Sequence, residues 1–339
     1  MKVIVLGGTG YIGTRLMEIL TLTPWAEATG ASRTGPGMAQ KGMDWLAVNT
    51  CDAAALTRVL KGFDAVVNCV AGDRQSIADG ARTLAEAAAA AGCPRIIHLS
   101  TMSVYGDLEG LVSEDMQPGP QLGWYGKAKR EAENAMAGFA KADGKVVMLR
   151  PGCVFGPGSE LWVGRTARWL RSGRLGDLGV GGDGWSNLVH VDDICQAVLA
   201  ALRLEIVAGT IPVFNLAAPD SPRWNDYFID LAVATGATPV RRISARQIRL
   251  DSLVAGAPLK IAERLLRRMG KRHVRIPDPM PPGLTRLWGQ HIRLDSGPAT
   301  RSLHLAWTSY PDALQSSADW FCSKGRPTGS VAGETICTP

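Results

Sequence analysis

Tyr125-Gly126-Lys127-Ala128-Lys129 sets a phenol and an ammonium four residues apart, a spacing that puts both on one face of a helix. A tyrosine with a pKa of about 10 is a poor base at neutral pH, and an adjacent ammonium favours its phenolate. The pair suits proton transfer to or from a carbonyl or alcohol oxygen, with Tyr125 as acid or base and Lys129 as its electrostatic partner. Ser100-Thr101-Met102-Ser103 follows the apolar run Ile96-Ile97-His98-Leu99. A hydroxyl there, that of Thr101 in particular, could hold the same oxygen, although strand-end hydroxyls also cap turns. Gly7-Gly8-Thr9-Gly10-Tyr11-Ile12-Gly13 lies between an apolar β-branched run and a helical pattern, where bare N–H groups and a helix dipole receive a pyrophosphate. In such a loop Gly7 makes the turn, Gly10 admits the phosphate and Gly13 lets helix and strand pack closely.

These groups need a scaffold, and the spacing of apolar residues supplies one. Val3-Ile4-Val5-Leu6 predicts a strand and Thr14 to Leu22 a helix. The unit recurs as a strand near 28–32, a helix near 53–61, a strand over 65–70, an Ala-rich helix over 78–91 and a strand over 95–100. A loop over 106–123, a helix over 124–141 and a strand over 145–150 complete the series. Continuously apolar strands are expected where both faces are covered, as in a parallel sheet. Residues 1–157 therefore read as a doubly wound α/β domain, to which a strand over 188–191 and a helix over 192–203 return. Residues 158–322 read as a smaller, irregular substrate lobe, and the polar stretch 323–339 as a flexible tail.

The chain has 339 residues, 46% hydrophobic and 20% charged, which excludes disordered and disulfide-scaffold classes. Its seven cysteines form no C-x-x-C pair and no histidines stand at metal-ligand spacing, so no metal site and a reduced, cytoplasmic setting are expected. No run approaches the ~18 apolar residues of a membrane span. The net charge of +6 is uneven, because residues 241–275 hold eleven basic and two acidic side chains, a local +9. That stretch has no Phe, Trp or Tyr, which argues against nucleic acid as a partner. Within it, Lys260 to Met269 has the pattern of a basic amphipathic helix, suited to a membrane surface, an anionic substrate group or plain solvent.

Taken in order, six motifs resemble the extended short-chain dehydrogenase/reductases, also called the NAD-dependent epimerase/dehydratase family. They are Gly7 to Gly13, Asp64 to Ala71, Leu99 to Gly106, Tyr125 with Lys129, Leu149 to Gly158, and Leu188-Val189-His190-Val191-Asp192-Asp193, and they cover about residues 1–220. The resemblance implies a Rossmann-type doubly wound parallel sheet with a smaller irregular C-terminal lobe. It also implies a catalytic triad of Thr101, Tyr125 and Lys129, with Lys129 holding the nicotinamide ribose as well. By the same match Gly7, Thr9, Gly10, Tyr11, Ile12 and Gly13 meet the cofactor phosphates, and Asn49 lies near the adenine. Val70 and Ala71 line the cofactor, and Pro151 and Cys153 approach the nicotinamide. His190 and Asp192-Asp193 brace the second lobe rather than catalyse, and helices 78–91 and 124–141 offer a homodimer interface.

An NAD-specific site carries an acid about 20 residues beyond the loop, at the ribose hydroxyls. Ser32-Arg33 stands there, with no acid from Ala28 to Gln40, and a guanidinium suits a 2′-phosphate, so NADP is expected ahead of NAD. Dehydratases of the family carry Asp-Glu after the catalytic Thr, where this chain has Met102-Ser103. Sugar-nucleotide epimerases often have Asn at Cys153 and Arg at Ser186, both serving the diphosphate. The expected activity is NADP(H)-dependent interconversion of a carbonyl and a secondary alcohol on a small molecule, with or without an anionic group. A sugar-nucleotide epimerase acting through transient oxidation is the alternative, and a non-catalytic NADP-binding protein the third. Trp124, Trp162, Trp169, Trp185 and Phe155 are candidates to line an apolar substrate pocket between the lobes.

Overall fold

The computed structural model describes residues 1–35, 43–207, 209–251, 258, 261, 265 and 280–324. Its main sheet has seven strands: β1 (Lys2–Leu6), β2 (Glu27–Ser32), β3 (Asp44–Ala47), β4 (Ala65–Asn68), β5 (Arg95–Leu99), β7 (Lys145–Pro151) and β10 (Val213–Leu216). All pair in parallel, in the order β10-β7-β5-β4-β1-β2-β3. Two small parallel sheets join β6 (Gly110–Val112) to β11 (Ile292–Leu294), and β8 (Cys153–Phe155) to β9 (Leu188–His190).

The sheet is apolar on both faces because both are covered. Val3 and Val5 of β1 pack with Leu16, Met17 and Leu20 of α1 (Tyr11–Thr21) and with Ile194 and Val198 of α6 (Val191–Arg203). Ile4 and Leu6 turn the other way, toward Leu56 of α2 (Ala53–Leu60), Leu84 of α3 (Gly80–Ala91) and Met136 of α4 (Trp124–Lys141). Val3, Ile4, Val5 and Leu6 are fully buried, each contributing about 1.5–3 kcal/mol. A third cluster fills the second lobe, with Trp169 of α5 (Thr166–Arg171), Trp224, Tyr227 and Phe228 of α7 (Trp224–Ala234), and Trp288. The rings of Phe228 and Trp288 meet edge-on at 5.3 Å.

Several elements differ from their sequence-based outlines. The strand foreseen over 188–191 is β9, and it pairs with β8 outside the main sheet; β10 takes the sheet edge beside β7 instead. The cause is the chain's path past Pro151, where Gly152 donates to the Leu216 carbonyl and Cys153 to that of Asn187. A Cβ on Gly152 would stand 2.1 Å from the Asn187 oxygen. The helix α6 does lie over α1 and the sheet. The expected loop 106–123 contains β6, and β3 was not foreseen. A helix over Tyr310–Lys324 enters the stretch expected as a flexible tail, and residues 325–339 lie outside the described residues. Among the described residues no helix is long and apolar enough to cross a membrane, and no group of His, Cys, Asp and Glu could hold a metal.

Candidate active site

Strand order reverses between β1 and β4, and the crevice at their carboxyl ends is where such sheets take ligands. Gly7 leaves β1 with φ +75°, and a Cβ on it would come within 2.9 Å of the Cys69 carbonyl. A Cβ on Gly13 would stand 2.3 Å from the Gly7 oxygen, so α1 and the loop can meet only through glycine. Gly10 caps α1 with no side-chain hydrogen bond, and a Cβ there would meet only the Gly7 oxygen at 3.3 Å. Thr9 and Gly10 are exposed, Tyr11 and Ile12 half-buried. A helix N-terminus without a side-chain cap, fronted by an open glycine turn, fits a pyrophosphate. Sequence reasoning missed Trp45 of β3, whose indole lies within 2.9 Å of where a Cβ on Gly8 would stand and 2.6 Å for Gly30. The ring forms the floor under the loop.

At the end of β2 the Ser32 hydroxyl donates to the Gly35 carbonyl at 3.1 Å, and Arg33 is exposed. Asn49 is exposed and accepts the Cys51 N–H at 3.2 Å, shaping the turn into α2. Half-buried Val70 and exposed Ala71 follow β4, with the Val70 nitrogen 3.1 Å from the position of a Gly7 Cβ.

The helix α4 brings Tyr125, Lys129 and Glu133 to successive turns of one face. Lys129 is 3% exposed, and its Nζ donates to the Leu99 carbonyl at 2.8 Å and the Val70 carbonyl at 3.2 Å. The ammonium thereby ties together the carboxyl ends of β4 and β5. Tyr125 is half-buried, its ring edge-on to that of Trp124. One residue on, a Cβ at Gly126 would stand 2.3 Å from the Ser103 carbonyl, so α4 presses directly on the turn Met102–Tyr105. Thr101 begins that turn and accepts the Ser103 N–H at 3.2 Å. Thr101 thus caps this turn at the carboxyl end of β5.

Under this constellation runs a buried polar network whose members the sequence reading did not single out. Arg150 donates from Nε and Nη2 to the two Glu133 oxygens, each at 2.9 Å, and the Ser100 hydroxyl donates to Glu133 at 2.6 Å. The Arg150 Nη1 donates to the Tyr105 hydroxyl at 2.9 Å, which donates to Asn215 at 2.7 Å. Burial works against the Arg150 charge, yet the carboxylate beside it outweighs that and its pKa goes up. Glu133 falls one turn beyond Lys129, a spacing that could have flagged it. Next to the network, His98 accepts from Asn68 at 3.1 Å, and burial, then the Lys129 charge, pushes its pKa down to about 3.

Pro151 and Cys153 are buried, and burial pushes the Cys153 thiol up, keeping it protonated. Ser186 is fully buried, donating to the Pro222 carbonyl at 2.6 Å. His190 accepts the Asp192 N–H at 3.3 Å at the start of α6. Asp192 takes two hydrogen bonds from Arg15 of α1, at 2.5 and 3.0 Å, so it braces the sheet's own helices rather than the second lobe. Asp193 accepts from the Thr308 hydroxyl at 2.7 Å. The five aromatic candidates do not share one pocket: Phe155 and Trp169 are buried in the lobe core, Trp162 packs against it, Trp124 is exposed, and Trp185 lines a separate cleft. Most of the basic stretch 241–275, including all of the expected helix 260–269 except Ile261 and Leu265, lies outside the described residues. Within its described part, Arg242 pairs with Asp177 and Arg174 with Asp251.

Comparison with known proteins agrees with this geometry. The model of the NAD dependent epimerase/dehydratase family matches residues 3–217. Protein YeeZ of Escherichia coli (strain K12) is 28% identical over 255 residues, 70% of this chain and 86% of that protein. The 2-alkyl-3-oxoalkanoate reductase of Stenotrophomonas maltophilia (strain K279a) is 28% identical over 214 residues, 59% of this chain and 64% of that protein. A solved structure of UDP-glucuronic acid 4-epimerase from Bacillus cereus, in complex with UDP-glucuronic acid and NAD, superposes with a TM-score of 0.71 at 20% identity, covering 95% of this chain and 99% of that one. With the glycine cradle, the Tyr125/Lys129 helix and a family match over most of the sheet, the chain belongs to the NAD dependent epimerase/dehydratase family, the extended short-chain dehydrogenase/reductases, enzymes of the NAD(P)-dependent oxidoreductase type.

Proposed function

We propose that this protein is an NADP(H)-dependent reductase or dehydrogenase that interconverts a carbonyl and a secondary alcohol on a small molecule. The observation that carries the reading is Lys129, fixed by the Val70 and Leu99 carbonyls one helical turn from Tyr125 and beside the glycine cradle. Gly7, Thr9, Gly10, Tyr11, Ile12 and Gly13 would hold the cofactor pyrophosphate, with Val70, Ala71, Pro151 and Cys153 along its nicotinamide half. Ser32, Arg33 and Asn49 would meet the adenosine end. The exposed Arg33 guanidinium, in a place without an acid, supports NADP over NAD. When bound, the nicotinamide supplies or takes up the hydride.

In the reductive direction Tyr125 donates a proton to the substrate oxygen, and the Thr101 hydroxyl donates a hydrogen bond to the same atom. The Lys129 ammonium stabilises the phenolate left on Tyr125, so the proton moves at neutral pH. Substrate would sit between the domain of residues 1–157 and the lobe of residues 158–322.

A sugar-nucleotide epimerase is the second reading, favoured by the likeness to the Bacillus cereus epimerase over nearly the whole chain. Screening NADPH oxidation against ketones, aldehydes and acyl-CoA thioesters, with UDP-sugars in parallel, separates the two. Net NADPH consumption supports the reductase. Tightly retained NAD with UDP-sugar interconversion and no net consumption replaces it with the epimerase.

A further inference from the structure

His98 is a buried imidazole that the reaction proposed above does not use. It is 1% exposed, and among the described residues its Nε2 has no hydrogen-bond partner. A buried unpaired polar atom destabilises a fold, and a leucine would fill the space without that cost. What holds the ring is its other nitrogen. Asn68, in register with His98 on the neighbouring strand, meets Nδ1 with its amide nitrogen at 3.1 Å. The Asn68 Oδ1 accepts the Val70 N–H at 3.1 Å, so Nδ2 is the atom left to face the ring, and it can only donate. Nδ1 must therefore accept, which fixes the neutral tautomer with its proton on Nε2. Burial, then the Lys129 charge, keeps the ring neutral by holding its pKa at about 3.

From this pair a chain of hydrogen bonds leads to the ammonium of Lys129. An Asn side chain bonded to the N–H two residues on sets the backbone at that point. The residue so set is Val70, whose carbonyl accepts from the Lys129 Nζ at 3.2 Å. The second carbonyl on the ammonium, at 2.8 Å, is that of Leu99, the residue after His98. Both carbonyls thus come from the ends of β4 and β5, and the Asn68–His98 bond joins those two ends side chain to side chain. Asn68 is 4% exposed and Lys129 3%, so water does not compete along the chain.

We propose that Asn68 and His98 are positioning residues: through Val70 they fix the Lys129 ammonium at the place from which it stabilises the Tyr125 phenolate. This rests on the reaction proposed above. The test is the ionisation of Tyr125 itself, read on the full chain as phenolate absorbance against pH, with Tyr125→Phe as the blank that subtracts the other tyrosines. Asn68→Leu keeps the volume and loses both hydrogen bonds, so Lys129 is held less firmly and Tyr125 ionises about one pH unit higher. Asn68→Asp keeps an acceptor for the Val70 N–H and draws a proton onto His98, so the titration returns toward that of the wild type. His98→Leu leaves Asn68 on Val70 without its partner and gives a smaller shift in the same direction, which decides the matter even where Asn68→Leu does not fold. A role in stability alone lowers the melting temperature of these variants without moving the Tyr125 titration, and that result overturns the proposal. Equal shifts in Asn68→Leu and Asn68→Asp also overturn it, because the Val70 acceptor would then be irrelevant. A wild-type Tyr125 that ionises at the ordinary value of about 10 removes the proposed chemistry, and the positioning role with it. A lowered wild-type value that the variants leave in place removes the positioning role alone.

Discussion

Glu133→Gln tests the buried network that fixes α4 to the sheet. The Glu133 and Arg150 side chains are 6% and 7% exposed, and the pair is bidentate at 2.9 Å on both arms. A neutral amide leaves the Arg150 charge buried without its counter-ion and sets an NH₂ donor against one of the guanidinium donors. Removing one partner of such a pair costs about 3–5 kcal/mol, against a total stability of about 5–15 kcal/mol. Arg130, 3.8 Å from Glu133, is itself a cation and offers Arg150 no replacement counter-ion. The assay is equilibrium unfolding in urea, chosen over guanidinium chloride because a salt would screen the pair. The double variant Glu133→Leu/Arg150→Met, with no charge left inside, loses less than the sum of the two single variants. A loss below about 1 kcal/mol for Glu133→Gln, or strict additivity in the double variant, refutes the reasoning.

Three further outcomes follow from single residues. Unfolded His98 takes up a proton as pH falls through about 6.5, whereas folded His98 does so only near 3. The unfolded state therefore binds more protons between those values, and stability falls by about 1.4 kcal/mol from pH 7.5 to pH 5.5 on this account; His98→Leu removes that share of the slope, and an unchanged slope contradicts it. Gly13→Ala puts a Cβ 2.3 Å from the Gly7 oxygen, so it destabilises by about 1–3 kcal/mol and weakens dinucleotide binding, both read from melting curves with and without cofactor. Arg33→Ser lowers NADP affinity about ten- to hundredfold and leaves NAD affinity nearly unchanged; equal losses for the two cofactors would remove the 2′-phosphate assignment.

Local patterns were legible in the sequence, and contacts across the fold were not. The β1 side chains are apolar on both faces, so Val3 to Leu6 announced a covered strand, and Tyr125 and Lys129 share a face through spacing alone. The edge strand β3 hid because three of its four residues are exposed and the fourth half-buried, with no alternation to see. Leu188-Val189 read correctly as a strand, but its partner was set by Gly152 and Asn187, 35 residues apart in sequence. Glu133 and Arg150 lie on a helix and a strand, so nothing local connects them. The five aromatic candidates could be named for one pocket from the sequence, yet only packing separates Trp169 in the core from Trp185 in a cleft.

The most direct test of the central claim is Tyr125→Phe, assayed by single-turnover NADPH oxidation with the ketone, aldehyde or thioester that the wild-type protein reduces. Losing the proton donor lowers the rate about 10²–10⁴-fold, while cofactor affinity and melting temperature stay near wild type because the half-buried hydroxyl is all that changes. A rate within tenfold of wild type would contradict Tyr125 as the acid and, with it, the proposed reaction.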